Sequence, residues 1–407
     1  MKILVLASRF PDRDGRADQR TVYRLLEFLH RRGHESHLLA LAPWDGIGND
    51  RSSVASLCAS TEIFAQGRVR AAMTGLAGRL AGYPFQVGAM WNPAMARAVD
   101  RALAELKPDL VYAHLIRTAE YVKTKTAVPR ILAMQVAQSL NLDRMARYRR
   151  NLLSRIFYRL ELAAVLRYEP LIASRFDFSA LISNHDREAI GLPPDSVWLV
   201  PHGVDTHEFR PRPSEPRVTG PVIFSGMLDT PTNVEAVRLL LHEIWPAVIA
   251  RLPWARLLIV GRNPSASVRR MARRARAELK ASVRSIADYM ADAAVAVAPM
   301  RIAAGLQNKV LEAMASGLAV VATPEALEGI GARADSEAVL ASSSANFADA
   351  VVNLLSDPER RRDLGRRARA FIEREWTWEF HWQRLEERML MAAASGAGRQ
   401  SPAHLRG

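Results

Sequence analysis

The chain has very little cysteine, lysine or aromatic side chain. Among 407 residues Cys58 is the single cysteine, so no disulfide can form within the chain and a secreted disulfide scaffold is excluded. No apolar run approaches the roughly 20 residues that a membrane-spanning helix needs. The first residues lack the cleavage region of a signal peptide. We therefore expect a cytoplasmic protein.

Basic residues exceed acidic ones, and almost all of them are arginine. Lysine supplies only six of the 56 basic residues, against 42 acidic ones, and the net charge is +14. Such a charge attracts polyanions and anionic membranes. Neither zinc-finger spacing nor an aromatic RNA-binding signature is present, so we expect no nucleic-acid partner. An anionic small substrate or a membrane surface fits the charge better.

Short apolar runs alternate with helical patterns along the chain, which predicts parallel α/β sheets. A proline-rich stretch at residues 211–220 interrupts the alternation and predicts a linker. We expect an N-terminal Rossmann-like domain at 1–210, a second at 211–375, a last helix at 376–394, and a disordered tail at 395–407. One long helix is predicted over residues 145–168. Ligands of such sheets bind beyond the carboxyl ends of the strands.

The sharpest motif runs from Ala298 to Thr323 and reads strand, loop, helix, strand. The helix starts near Gln307, and its free N–H groups favour a phosphate or diphosphate. Arg301 and Lys309 add full charges there, and the Glu312 carboxylate can accept hydroxyl hydrogen bonds, as from a ribose. The other candidates for donor binding in this motif are Gly305, Leu306 and Asn308. A basic loop followed by an ordinary core helix is the alternative interpretation.

This motif resembles the donor-binding motif of retaining family 4 glycosyltransferases with the GT-B fold. The matching residues are Leu311–Ala315, Gly317 and Val320–Ala322. Pro201–Asp205 resembles the family's domain-junction motif. Weaker similarities lie at Leu258–Gly261 and Gly33–His34.

The resemblance implies two Rossmann-like domains facing across a cleft, with the helix at 376–394 crossing back to the first domain. It also implies a nucleotide-sugar donor, retention at the anomeric carbon, and neither a cofactor nor an essential metal. The family usually has a glutamate where Ala304 stands. Its basic pair after the first strand of the second domain is also missing, and the resemblance implies that Arg301 and Lys309 replace it. The stretch Phe224–Asn233 resembles a bacterial branch associated with exopolysaccharide and exosortase gene clusters.

Further candidates follow other strands. His114 follows a strand of the first domain, where the family often carries a histidine beside the reacting sugar; a structural histidine is the alternative. A charged loop resembles the acceptor-side loop of the family, or is simply solvated. The candidates in this loop are Arg9, Gly15, Asp18 and Arg20. Two further candidates for donor binding end strands of the second domain: Gly226 and Arg262.

The stretch Arg144–Arg175 is rich in arginine with interleaved apolar residues, and a basic amphipathic helix of this kind can lie on an anionic membrane. The alternative is a helix packed on its own sheet with a solvated arginine face. We therefore expect a glycosyltransferase that moves a sugar from a nucleotide-sugar to a glycan or lipid-linked acceptor, at the inner face of the plasma membrane if this helix binds lipid. A nucleotide-sugar epimerase, a phosphorylase and a catalytically degenerate sugar-binding paralogue remain open.

Overall fold

The computed structural model describes residues 1–13, 15–43, 51–148, 152–211, 220–281, 283, 285–301 and 306–397. The chain divides into two compact units, Met1–His202 with His381–Gly407, and Gly203–Phe380. The division lies at His202, before the proline-rich stretch at which the sequence predicts it. The reason is local: His202 bonds to a side chain of the first unit, whereas the Val204 N–H already donates to the Trp376 carbonyl of the second unit (2.8 Å).

The first unit contains a parallel sheet of seven strands within the described residues, in the order β3-β2-β1-β4-β5-β6-β7. Its central strand β1 is fully apolar after the first residue and buried, as expected for a parallel sheet covered on both faces. The strands are β1 (Lys2–Ala7), β2 (Glu35–Pro43), β3 (Ser60–Gln66), β4 (Leu110–His114), β5 (Arg130–Gln135), β6 (Phe178–Leu181) and β7 (Val197–Leu199).

The helices of the first unit start and stop at residues suited to those positions. Gly33 follows the first helix with a φ of 75°, and the Asn92 side chain caps the fifth by accepting from the Ala94 and Met95 N–H groups. The helices are α1 (Ala17–Arg31), α2 (Arg51–Leu57), α3 (Arg68–Leu80), α4 (Phe85–Ala89), α5 (Pro93–Leu106), α6 (Gln138–Tyr148), α7 (Leu152–Ala173) and α8 (Asn184–Ile190), with 3₁₀ turns at Ile116–Tyr121 and Pro194–Ser196.

The prediction of one helix over 145–168 is wrong in its bounds. Helix α6 begins earlier, α7 continues to Ala173, and residues 149–151 between them lie outside the described part. Helix α7 passes through Pro170, which lacks an N–H but does not end the helix, because the apolar side chains beyond it, such as Ile172, still pack into the core.

The second unit contains a parallel sheet of six strands within the described residues, in the order β10-β9-β8-β11-β12-β13. The strands are β8 (Val222–Met227), β9 (Leu257–Arg262), β10 (Glu278–Ala281), β11 (Val295–Ala298), β12 (Ala319–Ala322) and β13 (Val339–Leu340). The helices are α9 (Pro231–Leu239), α10 (Trp245–Arg251), α11 (Ala266–Arg274), α12 (Ile286–Asp292), α13 (Asn308–Ala315), α14 (Pro324–Leu327), α15 (Ser344–Ser356), α16 (Pro358–Glu375) and α17 (Trp378–Ala397), with a π-helical turn at Leu240–Ile244. Two parallel α/β sheets confirm the predicted fold class.

Helix α17 belongs to the first unit from His381 onward. Its Glu386 accepts from Arg32 Nε (3.0 Å) and contacts His34 Nε2 (2.8 Å), while Trp382 is buried. Residues 395–397, predicted to be part of a disordered tail, continue this helix because the preceding alanines favour helix and Ser395 Oγ donates to the Met391 carbonyl. In the described ranges, no helix is both long enough and apolar enough to span a membrane.

Candidate functional site

The carboxyl ends of β8 and β9 approach each other through bare backbone. Gly226 has a φ of 152°, and a Cβ there would lie 2.9 Å from Asn233 Nδ2. A Cβ on Gly261 would lie 1.8 Å from the Gly226 carbonyl oxygen. Only glycine fits at these two positions, so the ends of β8 and β9 carry no side chain there.

Lys309, in the first turn of α13, is held at the same edge. Its Nζ donates to Asn233 Oδ1, lies 3.5 Å from Met300 Sδ, and lies 4.8 Å from the centre of the Phe224 ring. Asn233 is fixed in turn because its Nδ2 donates to the Met227 carbonyl (2.8 Å). The lysine therefore joins the ends of β8 and β11 to the start of α13. Its role in binding an anion stays a prediction.

The Lys309 ammonium carries a charge that its surroundings do not neutralise fully. Burial lowers its pKa to about 8, and the nearby Glu312 carboxylate opposes that shift only in part. A desolvated ammonium next to neutral partners gains by meeting an anion, because the anion supplies the stabilisation that water no longer gives. A phosphate oxygen is an anion of the kind that would stabilise this ammonium.

The helix after this loop begins as the sequence predicts. Gln307 is the N-cap of α13, Asn308 is its first residue, and no described side chain caps its N–H groups. Leu306 is half-buried just before it. Gly305 and Ala304, the glycine candidate and the substituted glutamate position, lie outside the described residues.

The two arginines predicted near this edge are exposed. The Arg301 guanidinium pairs with Glu243 (2.9 Å). Arg262 is the last residue of β9, and its side chain is exposed. Both arginine assignments stay predictions.

His114 closes β4 of the first unit and is buried. Neither ring nitrogen makes a hydrogen bond of ordinary geometry with a described residue, and the Asp18 backbone makes only a weaker polar contact with the ring. Burial lowers the pKa of His114 to about 4, although the Asp18 carboxylate acts in the opposite direction. The imidazole is therefore neutral at physiological pH. A buried polar ring without such hydrogen bonds costs free energy, and such groups often mark sites completed by a ligand or water.

The charged loop between β1 and α1, for which the sequence predicts an acceptor role, contributes Asp18 beside His114. Arg9 Nη1 pairs with Asp18 (2.7 Å). Burial raises the pKa of Asp18, but Arg9 and Arg117 outweigh it and leave the pKa lowered. Gly15 turns the loop, since a Cβ there would lie 2.9 Å from the Asp12 Cβ, and Arg20 is exposed on α1. Of the four candidates in this loop, the structure thus brings Arg9 and Asp18 to the histidine.

Sequence reasoning missed two groups at the edge of the first sheet. Arg117 donates to Gln86 Oε1 (3.1 Å), and burial lowers its pKa to about 10. His202 contacts Gln135 Oε1 (2.7 Å), and Gln135 has an uncommon φ of 67°. The sequence signal for Arg117 was only its position shortly after a buried strand, whereas His202 lies inside the Pro201–Asp205 motif, which gave no role to its side chain.

In the second unit, sequence reasoning also missed the roles of Asn233 and Thr323. Asn233 positions Lys309, as described above. Thr323 Oγ1 donates to the Met300 carbonyl (2.8 Å) and accepts from the Met300 N–H (3.1 Å), which fixes the chain after β11. Among the residues that the structure describes, no group of three or more His, Cys, Asp or Glu side chains is arranged to hold a metal ion.

Comparison with known proteins decides the family. Residues 19–208 match the family described as Glycosyltransferase Family 4, and residues 220–357 match Glycosyl transferases group 1. The chain is a family 4 glycosyltransferase with the GT-B fold. Both matched segments agree with the resemblance that the sequence motifs carry.

Individual relatives of this glycosyltransferase are distant. An uncharacterized 44.6 kDa protein in the cps region of Klebsiella pneumoniae is 22% identical over 391 residues, spanning 91% of this chain and 95% of that one. A phosphatidyl-myo-inositol mannosyltransferase of Mycolicibacterium smegmatis is 29% identical over 246 residues, but these cover 57% of this chain and only 60% of that protein. Anabaena Alr3699/HepE, solved in complex with UDP, shares the fold at 14% identity with a TM-score of 0.66, covering 96% of this chain and all of that one (100%).

Proposed function

We propose that this glycosyltransferase transfers a sugar from a nucleotide-sugar to a hydroxyl group of a cell-surface glycan or lipid-linked intermediate, with retention of anomeric configuration. The observation that carries the donor class is Lys309: a desolvated ammonium at the start of α13, beside the bare backbone of Gly226. The UDP in the HepE complex supports a nucleotide donor. The cps-region and phosphatidylinositol relatives support the acceptor class.

In this reaction the bond between the anomeric carbon and the diphosphate oxygen breaks. The acceptor hydroxyl oxygen bonds to the anomeric carbon, and its proton leaves with the diphosphate. Lys309 and the N-terminal dipole of α13 stabilise the negative charge that grows on the leaving group. Glu312 accepts hydroxyl hydrogen bonds from the ribose. Neutral His114 orients the reacting sugar or the acceptor by hydrogen bonding rather than as a charged acid.

The first test is a thermal-shift screen with UDP, GDP, ADP, CMP and dTDP. A nucleotide at 100 times its dissociation constant stabilises the folded state by about 2.7 kcal/mol. We expect one of the five to raise the melting temperature, and Lys309→Ala to remove the shift. Lys280→Ala is the matched control in the same unit, because Lys280 is half-exposed on β10 and pairs with Glu278 (2.9 Å).

Turnover separates the remaining alternatives. Release of the nucleoside diphosphate that depends on an added acceptor, with an NMR coupling constant showing the donor's anomeric configuration in the product, supports the proposal. Conversion of the nucleotide-sugar without any acceptor indicates an epimerase. Nucleotide binding without turnover of any donor indicates the degenerate sugar-binding paralogue.

A further inference from the structure

Two neighbouring helices of the first unit expose an apolar surface. In α3 the exposed residues recur every three or four positions, so they form one stripe: Val69, Met73, Leu76 and Leu80. In α7 a second stripe covers the first turns: Leu152, Leu153, Ile156, Phe157 and Leu160. Leu80 and Leu153 are 84% and 76% exposed. We call these nine residues the α3–α7 surface.

The two stripes are adjacent rather than scattered. Arg79 on α3 donates from Nη2 to the Leu160 carbonyl of α7 (3.2 Å). The rings of Phe85 and Phe157 lie edge to face at 5.7 Å. The opposite side of α3 packs tightly on α4, where a Cβ on Gly75 would lie 2.6 Å from the Phe85 ring. Large adjoining apolar stripes of this kind mark an interaction surface.

Every acidic side chain of these two helices points away from this surface. Helix α3 contains none. In α7, Glu161 is buried and accepts from the Phe85 and Gln86 N–H groups (2.7 and 3.0 Å). Glu169 is buried and accepts from the Gln138 N–H (2.6 Å). Both glutamates therefore cap other helices, and neither neutralises the arginines outside.

Arginines flank the apolar stripes. Four of them on the two helices are exposed: Arg68, Arg70, Arg159 and Arg167. In the wider stretch predicted to bind membrane, the side chains of Arg144, Arg147, Arg149 and Arg150 lie outside the described residues. The described face is thus apolar in the middle, positive at its edges and free of exposed carboxylates.

We propose that the α3–α7 surface docks on an anionic lipid bilayer, with the aliphatic stripe among the acyl chains and the arginines at the headgroups. Helices that lie in a membrane interface combine these two features. A second copy of the chain fits less well, because a two-fold interface would place the same arginines against each other. The inference goes beyond the proposed transfer reaction and needs no donor or acceptor for its test.

The test is flotation of the full chain with vesicles of phosphatidylcholine, with and without phosphatidylglycerol as about one third of the lipid. We expect binding to the anionic vesicles that weakens as salt is added. Met73→Asp should reduce the bound fraction about tenfold, since it places a charge among the acyl chains. Met391→Asp on α17 is the matched control, because Met73 and Met391 are both methionines that are 68% exposed on a helix.

The charged rim is tested separately by the double variant Arg70→Glu with Arg159→Glu, which should abolish binding to anionic vesicles and leave the melting temperature unchanged. Equal flotation of Met73→Asp and the wild type would overturn the proposal, and so would equal losses in Met73→Asp and Met391→Asp. A third outcome is that the wild type does not float with vesicles but forms concentration-dependent dimers, and that Met73→Asp is monomeric. That outcome would overturn membrane docking and identify the surface as a protein–protein interface.

Discussion

Lys309→Met should stabilise the folded chain near neutral pH while removing nucleotide binding. Burial lowers the pKa of Lys309 from 10.5 to about 8. Each pKa unit corresponds to about 1.36 kcal/mol, so the charged lysine costs the native state up to about 3 kcal/mol below pH 8. Methionine removes that cost but leaves Asn233 Oδ1 without its donor, a loss of about 1–3 kcal/mol.

The pH dependence makes this prediction sharp. Between pH 8 and 10.5 the unfolded lysine binds more protons than the folded one, so the wild type gains stability as pH rises through this window. The methionine variant lacks that gain. Denaturant unfolding at pH 7 and at about pH 10.5 should therefore show the stability difference, variant minus wild type, falling by up to about 3 kcal/mol.

A stability difference that stays constant across this window would show that the Lys309 pKa is not lowered, and the argument for an unneutralised ammonium would fail. Nucleotide binding is measured independently of the stability difference. Calorimetry with the nucleotide found in the screen should show binding to the wild type that weakens above pH 8 and is lost in the methionine variant. Lys280→Met should match the wild type in both experiments.

Three further predictions concern other positions. Gly226→Ala should destabilise by about 1–3 kcal/mol, because its φ of 152° is strained for alanine and the new Cβ displaces Asn233; denaturant unfolding measures the loss, and nucleotide affinity should fall with it. His114→Leu should leave the melting temperature unchanged or raised, since neither ring nitrogen makes a hydrogen bond of ordinary geometry with a described residue, yet lower kcat at least about tenfold. Burial raises the pKa of Glu386, but its bonds to Arg32 and His34 outweigh it and leave the pKa lowered, so its stabilisation is present above the unfolded pKa and lost as pH falls through the folded one. Glu386→Gln should cost about 1–3 kcal/mol at pH 7 in denaturant unfolding and less in acid.

The sequence predicted the fold class because parallel strands buried on both faces are apolar throughout. Segments such as β1 and β12 are therefore visible without any tertiary information. Edge strands are less apolar: β3 and β10 are partly exposed, so hydrophobic runs do not reveal them. The return of the chain to the first unit was expected only from the family resemblance, because it depends on contacts such as Glu386 with Arg32, which no local pattern reports.

The sequence by itself determined where Lys309 and Glu312 stand, because helix α13 and its first turn follow from the local pattern of strand, loop and helix. Only the tertiary structure decided what Lys309 touches: Asn233 comes from a different strand–helix unit and reaches it through the parallel pairing of β8 with β11. The same holds for the α3–α7 surface. The sequence alone shows that these helices are rich in arginine. The burial of Glu161, however, depends on its hydrogen bonds to helix α4, which is remote in sequence. Only that packing leaves the α3–α7 surface without a negative charge.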